Sequence, residues 1–226
     1  MIKRLCVICE GQTEETFIHN VIAPFFGNQI IIEARIIQTS PEHKGGGLNY
    51  DRVRKFICNT LREDKNLFVT TLFDLYGLPN NFPDYSQAKD ELLDNKLIIL
   101  TEAMHQDIIQ KTKCRADRFL AYIQPHEIEA LLFANVEVLT NEQPGWFEAK
   151  ALLMDIRRQV PSPEHINNHH ETKPSALLKK YLHQALYRKV LHGGSILSKI
   201  GVPHLTKECA FFAAWIDKLR QLSNIR

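Results

Sequence analysis

Apolar and polar positions along the chain switch repeatedly between a period of two and a period of 3.6, as alternating strands and helices do. Residues 3 to 9 form a short, mostly apolar run that predicts a strand, and Thr13 to about Phe26 predicts a helix entered through the tight turn that Gly11 permits. Gln29 to Gln38 is rich in β-branched residues and predicts a second strand, followed by a polar loop from Ser40 to Asn49. Tyr50, Val53, Phe56, Ile57 and Leu61 recur at helical spacing. Leu67 to Phe73 is almost wholly apolar, the pattern of a buried parallel strand covered on both faces, and it runs directly into Asp74. Ser86 to about Lys113 is mostly helical, with Leu97 to Leu100 open between helix and a short strand. Arg118 to Gln124 predicts another strand, stopped at Pro125, and Glu127 to Ala134 a short apolar helix. After Asn135 the pattern becomes helical, at Trp146 to Gln159, Pro174 to Lys189 and Lys207 to Leu222. The expected fold is α/β: a parallel sheet with helices on both faces over residues 1–135, and a helical C-terminal portion, 136–226, packed on it.

Composition narrows this picture. At 44% hydrophobic and 24% charged residues, a chain of 226 residues has the makings of a packed core and not of a disordered tract. No apolar run reaches the roughly 18 residues that would span a bilayer. An acid, Glu10, follows the first apolar run too early for a signal peptide, so a cytoplasmic protein is expected. Five scattered cysteines suit reduced thiols. Cys6 and Cys9 lie three apart in a strand, point to opposite faces and cannot jointly clamp zinc. A net charge of +2 implies no nucleic-acid partner by itself, so any such partner must meet a local basic patch.

Ligands of an open parallel sheet bind beyond the carboxyl ends of its strands. That rule selects Glu10 after the first strand, Asp74 after the third, and His126 with Glu127 and Glu129 after the fourth. Carboxylates gathered at one edge repel unless neutralised, and a hard divalent cation, Mg2+ or Mn2+, is the usual partner. Glu14, one helical turn after Glu10, suits either helix stabilisation at the positive end of the dipole or metal contact. Tyr76 can cap its loop or orient a ligand or phosphate. Lys44, Gly45 and Gly46, with Gly47, form either a flexible surface loop or a phosphate approach, and they lack the Gly-Lys-Ser/Thr of a nucleotide-binding loop. His165, His169 and His170 cluster in a polar stretch without a third firm ligand, which argues against zinc.

Three segments in order carry a resemblance: Glu10-Gly11-Gln12-Thr13-Glu14, Phe73-Asp74-Leu75-Tyr76-Gly77-Leu78-Pro79 and Pro125-His126-Glu127-Ile128-Glu129-Ala130-Leu131-Leu132-Phe133. Together with the aromatic-rich Ala210 to Trp215, they resemble an uncharacterised bacterial family with a Toprim-like fold, related to OLD-type nucleases. The resemblance implies a strand-end glutamate, Glu10, as the catalytic or metal-bridging acid and Asp74 as a metal ligand. Tyr76 stands where the Toprim pattern places a second aspartate, so Glu127 or Glu129 would have to supply the missing carboxylate. Of the two, Glu127, with His126 beside it, is the expected catalytic corner, because it lies closest to the strand end. The activity implied is metal-dependent cleavage of nucleic acid, DNA or RNA, together with a separately encoded ATPase in a defence or repair system. The alternative is a catalytically inactive binding or regulatory subunit.

Overall fold

The computed structural model describes residues 2–37, 49–166, 171–182 and 186–224. Lys44, Gly45, Gly46, His169 and His170, singled out above, lie outside the described residues. Strand β1 (Lys3–Cys9) leads through Gly11 into α1 (Gln12–Phe17), which widens into a π-helical turn (Ile18–Ile22) and closes as α2 (Ala23–Phe26). Then follow β2 (Ile30–Ile36), α3 (Tyr50–Glu63) and β3 (Leu67–Asp74). Asn49 caps α3 by accepting from the Asp51 amide at 3.0 Å, as a short polar side chain does at a helix start.

The expected helix after Ser86 is divided into α4 (Tyr85–Ala88) and α5 (Leu93–Thr112), and Leu97 to Leu100 belongs to α5. The expected strand from Arg118 to Gln124 is two short pieces, β4 (Phe119–Leu120) and β5 (Ile123–Gln124). Thr70 and Thr71 of β3 interrupt that edge: their hydroxyls donate to the carbonyls of Leu120 and Tyr122 at 2.7 and 2.8 Å. Ile128–Asn135 is a 3-10 helix and not an α-helix, after which come α6 (Val136–Thr140), α7 (Lys150–Arg158) and α8 (Pro174–Tyr181). A π-helical turn at Lys189–Gly193 leads to α9 (Gly194–Ile200), α10 (Val202–Glu208) and α11 (Ala210–Asn224).

The five-stranded sheet has the order β2-β1-β3-β4, with β5 also paired to β3, and every pairing is parallel. Alternate residues of β1 enter different cores: Leu5, Val7 and Cys9 on one face, Cys6 and Ile8 on the other. The second face is closed by α3 and α5 through Ile57, Leu61, Leu100 and Met104. The first is closed by α1 and the C-terminal helices through Phe17, Leu178, Ile196 and Phe212, so the helical portion shares one core with the sheet. Cys6 and Cys9 do face opposite sides, and burial pushes both thiols up to about 12, consistent with inert core thiols. Among the described residues no helix is long and apolar enough to cross a membrane.

Two buried polar contacts dock α11. The Trp215 indole donates to the Thr70 hydroxyl at 3.0 Å, and the Glu164 carboxylate accepts from the Phe211 and Phe212 amides at 2.9 Å each, capping the helix start. Burial outweighs these bonds and lifts Glu164 to about 7 from 4.5. A raised acid favours the fold below its unfolded pKa and loses that contribution as pH rises through the folded one. Between pH 4 and 8 the wild type should therefore lose about 3 kcal/mol more stability than Glu164→Gln, from 2.5 units at about 1.36 kcal/mol each. Urea melts across that range measure the difference, and parallel pH profiles for the two proteins would contradict it.

Candidate metal centre

Because β1 and β3 are parallel neighbours, with Cys9 opposite Leu72, the residues that follow them emerge side by side at one sheet edge. Glu10 Oε1 accepts a hydrogen bond from the Asp74 amide at 2.9 Å. Asp74 Oδ1 in turn accepts from the Ile128 amide at 2.9 Å, so the turns after β1, β3 and β5 are tied together through two carboxylates. Gly77 is what lets Glu10 lie there. A Cβ at residue 77 would stand 2.5 Å from Glu10 Oε2 and 2.9 Å from Oε1. Gly77→Ala should therefore push aside the Glu10 carboxylate, the far end of a flexible side chain, and cost about 1 kcal/mol through the broken bond to the Asp74 amide. Thermal melts together with manganese titration check this, and unchanged values in both would mean that Glu10 can sit elsewhere at no cost.

The centre of the cluster is a lysine from the C-terminal portion. Lys189 Nζ lies 3.2 Å from Asp74 Oδ2, 3.1 Å from Glu14 Oε1 and 3.2 Å from Glu129 Oε2. Glu14 and Glu129 are only 3% and 2% exposed, so their placement here is not that of solvated helix residues. Their ammonium-facing oxygens touch Lys189, yet neither receives an aligned hydrogen bond among the described residues. The Tyr187 hydroxyl nearby is likewise buried without one. Burial opposes the charge on Lys189, but Asp74, Glu129 and Glu14 outweigh it and raise its pKa.

One cation does not balance this set. Burial, reinforced by Glu14, pushes Glu10 up to about 7 against the opposing Asp74 amide and Lys189. Asp74 is raised well above its ordinary value, first by burial and then by Glu14, Glu10 and Glu129, with Lys189 pulling the other way. Glu129 is raised as well, mainly by burial. Repelling carboxylates in a desolvated site are a strong seat for further positive charge. The donors are all hard oxygens, which suits magnesium or manganese in chemistry. As they stand, no group of three or more His, Cys, Asp or Glu among the described residues is spaced to hold a metal ion. A bound cation would have to take the place of the ammonium.

The contacts bring Glu10, Glu14, Asp74 and Glu129 together and set Glu127 apart, contrary to the expectation that Glu127 reaches the centre. The two glutamates differ in their backbone setting. Glu127 is extended (φ −142, ψ 154) and precedes the 3-10 helix, whereas Glu129 lies inside it. Glu127 is engaged by Lys173 Nζ at 2.8 Å and by the Ser175 amide at 3.0 Å; burial opposes its charge, but these bonds outweigh it and lower its pKa. Its carboxylate thus caps α8. His126 is held in the left-handed region at φ +57, a strained conformation for histidine. Its ring stacks on Tyr76 at 5.5 Å between centroids, and its carbonyl accepts from the Tyr76 amide at 3.1 Å. Burial, then the nearby His165, lowers His126 to about 4, so its imidazole is neutral at pH 7. Sequence reasoning missed Lys189, Lys173 and Gly77. Only the charge imbalance of the acids hinted at a lysine, and nothing said which of the 28 Lys and Arg residues it would be.

No curated protein and no solved structure matches this chain. Residues 9–220, which include every site residue just described, match a family described as a domain of unknown function (DUF4276), and the chain belongs to that family.

Proposed function

We propose that the chain is a metal-dependent nucleic-acid phosphodiesterase of Toprim type that acts with a separate ATPase in a defence or repair system. The observation that carries this reading is the convergence of Glu10, Glu14, Asp74 and Glu129 on one sheet edge, with two buried carboxylate oxygens lacking an aligned hydrogen bond. Magnesium or manganese in this seat would polarise a phosphodiester and stabilise the charge on its leaving oxygen. Glu10 and Asp74 would hold the cation, which would relieve their raised pKa values, and Glu129 would supply the carboxylate that Tyr76 does not. His126, whose pKa burial lowers to about 4, is a weak proton acceptor, so in this reading a neighbouring glutamate would move the proton. The sequence carries no nucleotide-binding loop, so in this reading the ATPase would act from a partner.

One observation favours a second reading, a Toprim-like binding or regulatory subunit without catalysis: Lys189 already pairs with three of the acids. A cleavage screen on DNA and tRNA with manganese, with and without an ATPase encoded beside this chain, separates the two. The enzyme requires cleavage that EDTA and Glu10→Gln both abolish. No cleavage, with no manganese-dependent shift in melting temperature, would leave the second reading. Within the enzyme reading, Glu129→Gln should weaken manganese binding at least about tenfold and Glu127→Gln by much less, since only the former loses a charge at the centre. Calorimetry on the two variants measures this, and the reverse order would return Glu127 to the centre.

A further inference from the structure

Next to the carboxylates lies a cavity of about 340 Å³, within the range of small-ligand sites. Leu75, Leu93 and Leu100 give it an apolar lining, while Tyr76 and His126 contribute a stacked pair of rings. Lys89, exposed, and Lys96, half-buried, also line it. Lys173 stands 6.0 Å from the Tyr76 ring centroid, outside the lining and paired with Glu127. The cavity and the acids share their supports. Leu75 and Tyr76 directly follow Asp74, and His126 is two residues before Ile128, whose amide holds Asp74.

An apolar slot edged by aromatic rings, with Lys89 and Lys96 against the single acid Glu91 in its lining, fits a flat heterocycle joined to phosphate, since a base supplies a π-face and its flanking phosphates meet the two ammonium groups. We propose that this cavity takes one unstacked nucleobase of a single-stranded nucleic acid, with Tyr76 as its stacking surface and Lys89 and Lys96 on the adjoining phosphates. The proposal rests on the phosphodiesterase reading and deepens it: the slot seats the nucleotide beside the bond to be cut, and a base still paired within a duplex cannot enter.

The test measures binding in EDTA, apart from any cleavage. Fluorescence anisotropy compares an oligonucleotide of about eight nucleotides, within the usual span of such sites, with one of equal length and charge whose sugars are abasic. The base-bearing strand should bind at least about tenfold more tightly, and its duplex should lose that advantage. Tyr76→Ala should erase the difference between the two strands, while Tyr76→Phe, which keeps the ring, should retain it. Lys96→Gln should weaken both strands alike and reduce the salt slope by about 0.7. Equal binding of base-bearing and abasic strands, no binding of either, or a base preference that survives Tyr76→Ala would overturn the proposal. A base preference without manganese-dependent cleavage would uphold the slot while removing the phosphodiesterase reading. Cleavage without a base preference would do the opposite.

Discussion

Glu10→Gln combined with Asp74→Asn is expected to abolish manganese binding and cleavage while raising the melting temperature of the metal-free protein. The two effects have one cause. At pH 8 Glu10 is ionised in a site that pushes its pKa up to about 7 from 4.5, so its charge opposes folding there. A neutral glutamine at position 10 still accepts from the backbone amide of residue 74, and an asparagine at position 74 still accepts from the Ile128 amide, so the ties between the strand ends survive. Removing this buried charge, with its repulsion from Glu14, should contribute about 2 kcal/mol for Glu10, which is about 4–8 °C for a chain of this length. Asp74→Asn works partly against this gain, because it takes from Lys189 its one aligned carboxylate acceptor. The gain should therefore be largest in the Glu10→Gln single variant. A lost negative charge beside a divalent ion is worth about 3 kcal/mol, so each substitution should weaken manganese about a hundredfold. Differential scanning fluorimetry with and without manganese reads both effects. An equal manganese-dependent shift in the double variant and the wild type would place the metal elsewhere.

How far the sequence could be read follows from which interactions are local. The strand ends were legible because β1 and β3 are buried on both faces, and an acid directly after such a run has little choice but to stand at the carboxyl edge. Glu10 and Asp74 meet there for that reason. The placement of Glu127 and Glu129 was not legible, since the period of an apolar run from Ile128 to Phe133 does not distinguish an α-helix from the 3-10 helix that forms. The split of the expected Arg118 to Gln124 strand was hidden likewise, because hydroxyls of Thr70 and Thr71 in another strand replace the ladder there. Lys189 is the extreme case. It lies 115 residues beyond Asp74 in a π-helical turn, and its partners are set by tertiary packing alone.

Lys189→Met should separate the two roles that this lysine can have toward the acids. The substitution leaves Glu14, Asp74 and Glu129 facing one another without their cation, and stripping one partner from a buried ion pair costs about 3–5 kcal/mol. A third of the Lys189 side chain still reaches solvent, 35% exposed, so screening should reduce the loss to about 2 kcal/mol, or about 4–8 °C. The loss should shrink as pH falls below about 7, because Glu10 and the other raised carboxylates then take up protons and cease to repel. Manganese should restore the melting temperature and bind at least about tenfold more tightly than to the wild type, since it no longer has to displace an ammonium from the same oxygens. Melting curves at pH 5.5 and 8 with and without the metal test each step. A variant as stable as the wild type, or one that binds manganese more weakly, would show that Lys189 and the cation do not compete for one seat.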